Sequence, residues 1–180
     1  MRNFVSKLFV ITGFIFILSS LYLVWQRNNP DRLSFDIKPN TFKETIYKKT
    51  DINPVQIVIQ DVNINLPLYP SIIDGKNWET TTKGASYLTS SPMPGEEGNS
   101  IIYAHNWNNL FGKIVLAKPG GKVKIAFSDN STKTFTIKYT ATVTPDETHI
   151  LNKSNDKRIT LYTCTGIFDQ KRFVAVAVLD

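Results

Sequence analysis

Leu8 to Trp25 reads LFVITGFIFILSSLYLVW, 18 residues without a charge. As an α-helix this run rises about 27 Å, close to the hydrocarbon thickness of a bilayer. Arg2 and Lys7 precede it, and Tyr22 and Trp25 close it, where amphipathic aromatics favour a membrane interface. A cleaved signal peptide has a shorter apolar region, about 7–15 residues, ending in a small-x-small site. Trp25-Gln26-Arg27 offers no such site. The run predicts one uncleaved transmembrane helix, an N-terminal membrane anchor over residues 1–27. No second apolar stretch of that length exists in the chain. A single span with a short leading flank puts residues 28–180 outside the cytoplasm, as a single-pass protein of the cell membrane.

About 150 residues remain, enough for one domain with a full core. The net charge is +6, and Arg2, Lys7 and Arg27 supply half of it with no acid before Asp31. The outer part is therefore only mildly basic. It has no lysine or arginine block and no basic helix, which argues against nucleic acid as a partner. Cys164 is the single cysteine, so no internal disulfide can form.

Residues 28–50 are polar and mixed in charge, and Pro30 and Pro39 discourage a long helix. They read as a tether, with a short helical or extended piece near Phe42 to Tyr47. From Asp51 onward apolar residues recur at every second position. Val55–Ile59, Val62–Leu66, Lys122–Phe127, Lys133–Tyr139 and Ala141–Thr144 all show the period of a half-buried strand. Ser100–Ala104, Arg158–Thr163 and Phe173–Leu179 are denser apolar runs, making about eight strands. Pro119-Gly120-Gly121 and Asp129-Asn130-Ser131 read as turns, and residues 83–100 as a loop. Short helices are expected at Asn106–Phe111 and Glu147–Leu151. Many short strands separated by turns imply an all-β sandwich or closed barrel over residues 51–180.

LYTCTGIFDQKRFVAVAV, residues 161–178, carries the chemistry. If its two apolar runs form a hairpin, residues 165–171 connect them. Cys164 then leaves one strand as Arg172 enters the next, within side-chain reach. A thiol reacts as its thiolate, and a guanidinium stabilises that anion at any relevant pH. The same guanidinium can bind a substrate carbonyl or the oxyanion formed when sulfur attacks it. A proton carrier is still needed, and histidine is the usual one. Of the two histidines, His105 ends an apolar strand in YAHNW, whereas His149 lies in a polar stretch, PDETHILN. His105 is therefore the candidate. The spacing of Cys164, His105 and His149 matches no zinc pattern, and Glu96-Glu97 alone makes no calcium site. No metal or cofactor is expected. Trp78 and Trp107 read as core or groove wall, with Trp107 near enough to His105 to line a groove.

ITLYTC at 159–164 resembles the TLxTC signature of the sortase family, with Arg172 on the following strand where that family keeps its arginine. SPMPGEEGNSIIYAHN at 91–106 is similar to the family's stretch leading to its histidine. Ala104 stands where many members have glycine. The resemblance covers most of residues 51–180. It implies a closed eight-stranded β-barrel with short helices, preceded by the transmembrane helix. It implies a transpeptidase in which Cys164 attacks a sorting signal (LPxTG-like) of a secreted protein. His105 would move protons, Arg172 would hold substrate and oxyanion, and Thr163 and Trp107 would contact the peptide. The partners implied are secreted proteins with C-terminal sorting signals and an amine acceptor on peptidoglycan precursor or pilin. Two other readings stand beside it. One is a membrane-tethered cysteine hydrolase. The other is an inactive surface β-domain acting as adhesin or assembly partner, with Cys164 an inert buried thiol.

Overall fold

The period-two segments fold as strands, and their register around a barrel decides which residues face inward. The computed structural model describes residues 2–27, 30–37, 51–74 and 77–180. It divides into two units, Met1–Pro30 and Asp31–Asp180. In the first, α1 (Arg2–Arg27) is a continuous helix. Its segment Val5–Trp25 is long and apolar enough to cross a membrane by length and composition. The Thr12 hydroxyl donates to the Leu8 carbonyl at 2.9 Å, so this polar group is satisfied within the helix.

The second unit carries the strands β1 (Pro54–Ile59), β2 (Ile64–Ser71), β3 (Ile73–Asp74), β4 (Asn77–Trp78) and β5 (Ala85–Leu88). β6 (Gly98–Tyr103), β7 (Lys122–Phe127), β8 (Thr132–Val143), β9 (Lys157–Thr165) and β10 (Lys171–Leu179) follow. Eight of them close a barrel in the order β1-β2-β5-β6-β9-β10-β8-β7, and β3 and β4 pair separately. β2 with β5 and β6 with β9 run parallel, and the other barrel neighbours antiparallel. The eight-stranded all-β barrel expected from the sequence is therefore present.

Two apolar clusters explain two kinds of strand. The first fills the barrel with Ile57, Ile59, Ile64, Ile125, Phe135, Ile159, Leu161 and their neighbours. β1, β2 and β7 give their buried apolar side chains to this cluster and largely alternate buried with exposed. The second lies on the outer face and holds Trp78, Ile101, Tyr103, Tyr162, Cys164, Val174 and Val176. β6, β9 and β10 pass between the two clusters. Buried on both faces, they read as near-continuous apolar runs.

Several boundaries differ from the sequence reading. Gln60–Val62 form a 3-10 turn closed by Asn63 at φ 53°, so β2 starts at Ile64 rather than Val62. Ala141–Val143 belong to β8, because β10 pairs with that strand from Phe135 through to Val143. The presumed loop 83–100 contains β5, a four-residue strand wedged between β2 and β6. The short helices are 3-10 turns at Phe111–Leu116 and Thr148–Leu151. Asn130 at φ 65° and Gly120 at φ 91° make the expected turns. The expected piece near Phe42 to Tyr47 lies outside the described residues.

The largest difference concerns residues 31–37, assigned from the sequence to the tether. They pack within the barrel unit. After a 3-10 turn at Pro30–Leu33, the chain extends as a strap with Leu33 and Phe35 buried in the outer cluster and Ile37 packed against it. The Asp36 amide donates to the Pro145 carbonyl at 2.9 Å. Barrel and strap differ in how their packing can fail. Phe135→Ala empties the closed interior and is expected to lower unfolding free energy by about 3–5 kcal/mol. Phe35→Ala is expected to lower it far less, because the strap can separate while the barrel stays closed. Urea unfolding of both variants, followed by far-UV circular dichroism, checks the contrast.

Candidate active site

Register places the thiol beside the guanidinium. In the β9–β10 ladder Arg172 is the direct partner of Cys164. Cys164 alternates with inward-facing Leu161 and Thr163 and so joins the outer cluster. His105 follows β6, which runs parallel to β9 with Tyr103 opposite Tyr162. The Ala104 amide extends that pairing to the Tyr162 carbonyl at 3.4 Å. Two more residues along each strand bring His105 and Cys164 to the same end of the sheet.

Thr163 does not face the groove. It is fully buried, and its hydroxyl donates to the Ala104 carbonyl at 2.7 Å. The expectation that it contacts a bound peptide gives way to a supporting role, since it pins the main chain just before His105. Trp107 is half-buried and stacks on the His105 ring, with centroids 4.8 Å apart and planes at 15°. His149 is exposed, on the turn Thr148–Leu151.

The strap covers this end. The Cys164 thiol donates to the Arg32 carbonyl at 2.8 Å. Arg172 Nη2 donates to the Ser34 carbonyl at 2.7 Å, and Nη1 to the carbonyls of Asp169 at 2.9 Å and Lys171 at 3.1 Å. Its Nε is buried without a partner, and the Phe35 ring lies 5.8 Å from the guanidinium carbon. Two peptide carbonyls of the strap thus engage the thiol and the guanidinium together. Cys164 is 3% exposed, Arg172 3% and His105 7%.

Burial sets the electrostatics. It pushes the Cys164 thiol up to about 12; Arg172 pulls the other way, Asp169 adds to the rise and Arg32 opposes it. Burial also lowers His105 below its ordinary value of 6.5, with Asp169 opposing and Arg32 assisting. At neutral pH this end of the sheet therefore holds a neutral thiol and a neutral imidazole. Among the described residues no three histidine, cysteine or acidic side chains converge as a metal site would require.

Asp169 was not singled out from the sequence. Its Oδ1 accepts from Asn106 Nδ2 at 2.8 Å, and its Oδ2 pairs with Arg32 at 2.8 Å. The strap also left a signal in the sequence, the alternation of Leu33, Phe35 and Ile37. Burying Leu33 and Phe35 gains about 3–6 kcal/mol. Ordering seven residues costs about 7–14 kcal/mol in backbone entropy. Its hydrogen bonds, at about 0.5–1.5 kcal/mol each, and its ion pair with Asp169 offset part of that cost.

The family model for the Sortase domain matches residues 57–180. Sortase A of Listeria monocytogenes is 30% identical over 128 residues, 69% of this chain and 55% of that protein. The chain thus spans about half the length of the curated relatives it matches. The solved structure of Listeria monocytogenes sortase A superposes with a TM-score of 0.58 at 29% identity, over 71% of this chain and 87% of that one. The pilus-related sortase C of Group B Streptococcus superposes with a TM-score of 0.62 over 92% of this chain and 89% of that one, at 21% identity. That second likeness is one of fold.

With the strap seated, burial keeps the thiol protonated at pH 8. Releasing the strap relieves burial and leaves Arg172 in place, so the thiolate fraction rises. The double variant Leu33→Ala/Phe35→Ala is expected to alkylate with iodoacetamide at least tenfold faster than wild type at pH 8. Its rate should also begin to climb at lower pH. Intact mass over a pH series measures both; equal rates would mean that the thiol is already open.

Proposed function

Because this chain belongs to the sortase family, we propose that it is a membrane-anchored cysteine transpeptidase acting on an LPxTG-like sorting signal of secreted proteins. The observation that carries the reading is the cross-strand pair of Cys164 and Arg172, each bonded to a main-chain carbonyl of the strap, the first to Arg32 in its 3-10 turn and the second to Ser34 just beyond it. An extended peptide in the strap's place would present its own carbonyls to the same thiol and guanidinium.

Once the strap has left, the Cys164 thiol yields its proton to His105, the resulting thiolate attacks the scissile carbonyl carbon, and the carbonyl electrons move onto oxygen. Arg172 Nη2, freed from Ser34, together with the unpartnered Nε, offers two donors to that oxyanion. Collapse breaks the C–N bond, and the His105 imidazolium gives its proton to the leaving amine. A thioester on Cys164 remains. An incoming amine loses a proton to His105, attacks the thioester and expels the thiolate. An amine of peptidoglycan precursor or pilin is the acceptor in this proposal, and water in its place gives hydrolysis. Thr163 and Trp107 fix where the imidazole sits, one through the Ala104 carbonyl and the other by stacking. The strap must leave first, since a thiol 3% exposed cannot meet a substrate. The helix α1, candidate for the span, holds the enzyme where sorting-signal proteins emerge.

The test uses the full chain in nanodiscs with LPxTG-like peptides and a triglycine or diaminopimelate-type amine. Intact mass follows a thioacyl adduct on Cys164, and chromatography separates ligated from hydrolysed product. Ligation is expected to disappear in Cys164→Ala and to fall by about 10²–10⁴ in His105→Ala and Arg172→Ala. Product that is all hydrolysed at saturating amine would favour the hydrolase. Absence of adduct in both the wild type and the strap variants would favour the inactive β-domain.

A further inference from the structure

Asp169 lies where three parts of the candidate site meet. It sits in the β9–β10 connection at φ 58°, directly after Phe168 at φ 56°. Each non-glycine residue in this left-handed region costs about 1–2 kcal/mol, less for aspartate than for phenylalanine. Two in succession persist only when surrounding contacts hold them. Three of the contacts that hold this turn come from Asp169. Its main-chain carbonyl accepts from Arg172 Nη1 at 2.9 Å. One carboxylate oxygen accepts from Asn106, the residue after His105, and the other pairs with Arg32 of the strap. The two paired side chains are only 16% and 14% exposed, so the ion pair is weakly screened.

The charges acting on His105 come from two elements. The β9–β10 connection supplies the Asp169 carboxylate, and the strap supplies the Arg32 guanidinium with the opposite effect. The histidine's own loop, Asn106 to Leu110, has no charged residue. Cys164 ends β9 and Arg172 opens β10 at the same mouth. With the strap seated, Arg32 neutralises the carboxylate. When the strap departs, Arg32 goes with it, while Asn106 still holds the other oxygen.

We propose that Asp169 is a positioning residue shared in turn by the strap and the histidine: it latches Arg32 in the covered state and bears on His105 in the open state. The step that exposes the thiol then also charges the base. One motion would favour the thiolate–imidazolium pair that attack requires. This deepens the transpeptidase reading and rests on it for its function, though not for its measurement.

The experiment follows the His105 ring by NMR titration of the full chain in nanodiscs. A His149→Gln background leaves a single imidazole, since the chain has two histidines. Wild type, Asp169→Asn, Arg32→Ala and the double variant complete a cycle. Asparagine keeps the left-handed backbone and removes the charge. Asp169→Asn is expected to lower the His105 midpoint by about one unit or more when Arg32 is absent, and by less than half of that when Arg32 is present. Equal shifts in the two backgrounds, or none, would overturn the proposal. If Asp169→Asn does not fold, Asn106→Ala in its place must give the same non-additivity in smaller amount, and additivity there overturns it too. A protein with the expected shifts but no thioacyl adduct would sink the transpeptidase reading alone. A protein that ligates but shows additive shifts would sink this one alone.

Discussion

The register of β9 against β10 is the constraint on which the site depends. Cys164 pairs with Arg172 because eight consecutive rungs, from Lys171–Thr165 to Val178–Arg158, hold the two strands in step. A slip of one residue would turn Cys164 into the barrel and bring Thr163 out. What prevents the slip is burial on both faces. Ile159 and Leu161 fill the barrel, while Tyr162, Val174 and Val176 belong to the outer cluster. A shifted strand would have to exchange both sets at once. The ladder that builds the fold therefore also fixes the chemistry, and neither can be altered alone.

The outer cluster has a second role. It is an apolar groove whose floor includes Trp78, Tyr103 and Tyr162, with their rings in edge or stacked contact. The strap fills it with Leu33 and Phe35, and Phe35 meets Tyr162 edge-on at 5.0 Å. Covering the groove keeps an apolar surface from water and keeps the thiol protonated. Both results arise from one segment.

Much of the barrel was legible because alternation is a local signal. β1, β7 and β8 could be read from period two, and β6, β9 and β10 from short apolar runs bounded by polar turns. The Cys164–Arg172 pair followed from counting across a hairpin, and His105 from its place at a strand end. Other features depended on partners distant in sequence. β5 sits in a stretch rich in glycine and serine and is a strand only because β2 and β6 flank it. The three apolar residues of the strap are interleaved with Arg32, Ser34 and Asp36, which resembles a polar linker until the groove is known. Thr163 looked like a peptide contact because it adjoins Cys164, yet alternation turns it inward. Asp169 carries no local signal; its partners lie 63 positions away at Asn106 and far upstream at Arg32.

On the transpeptidase reading, the strap would also act as a filter on what enters the groove. Being part of the same chain, it competes at an effective concentration on the order of millimolar, whatever the amount of enzyme. A dilute peptide free in solution meets that competitor at a disadvantage. If α1 anchors the chain as proposed, a protein held in the same bilayer would gain a comparable local advantage over it. Selectivity for tethered over diffusing substrates would then need no extra recognition surface, only the short stretch of chain that already lies across the thiol.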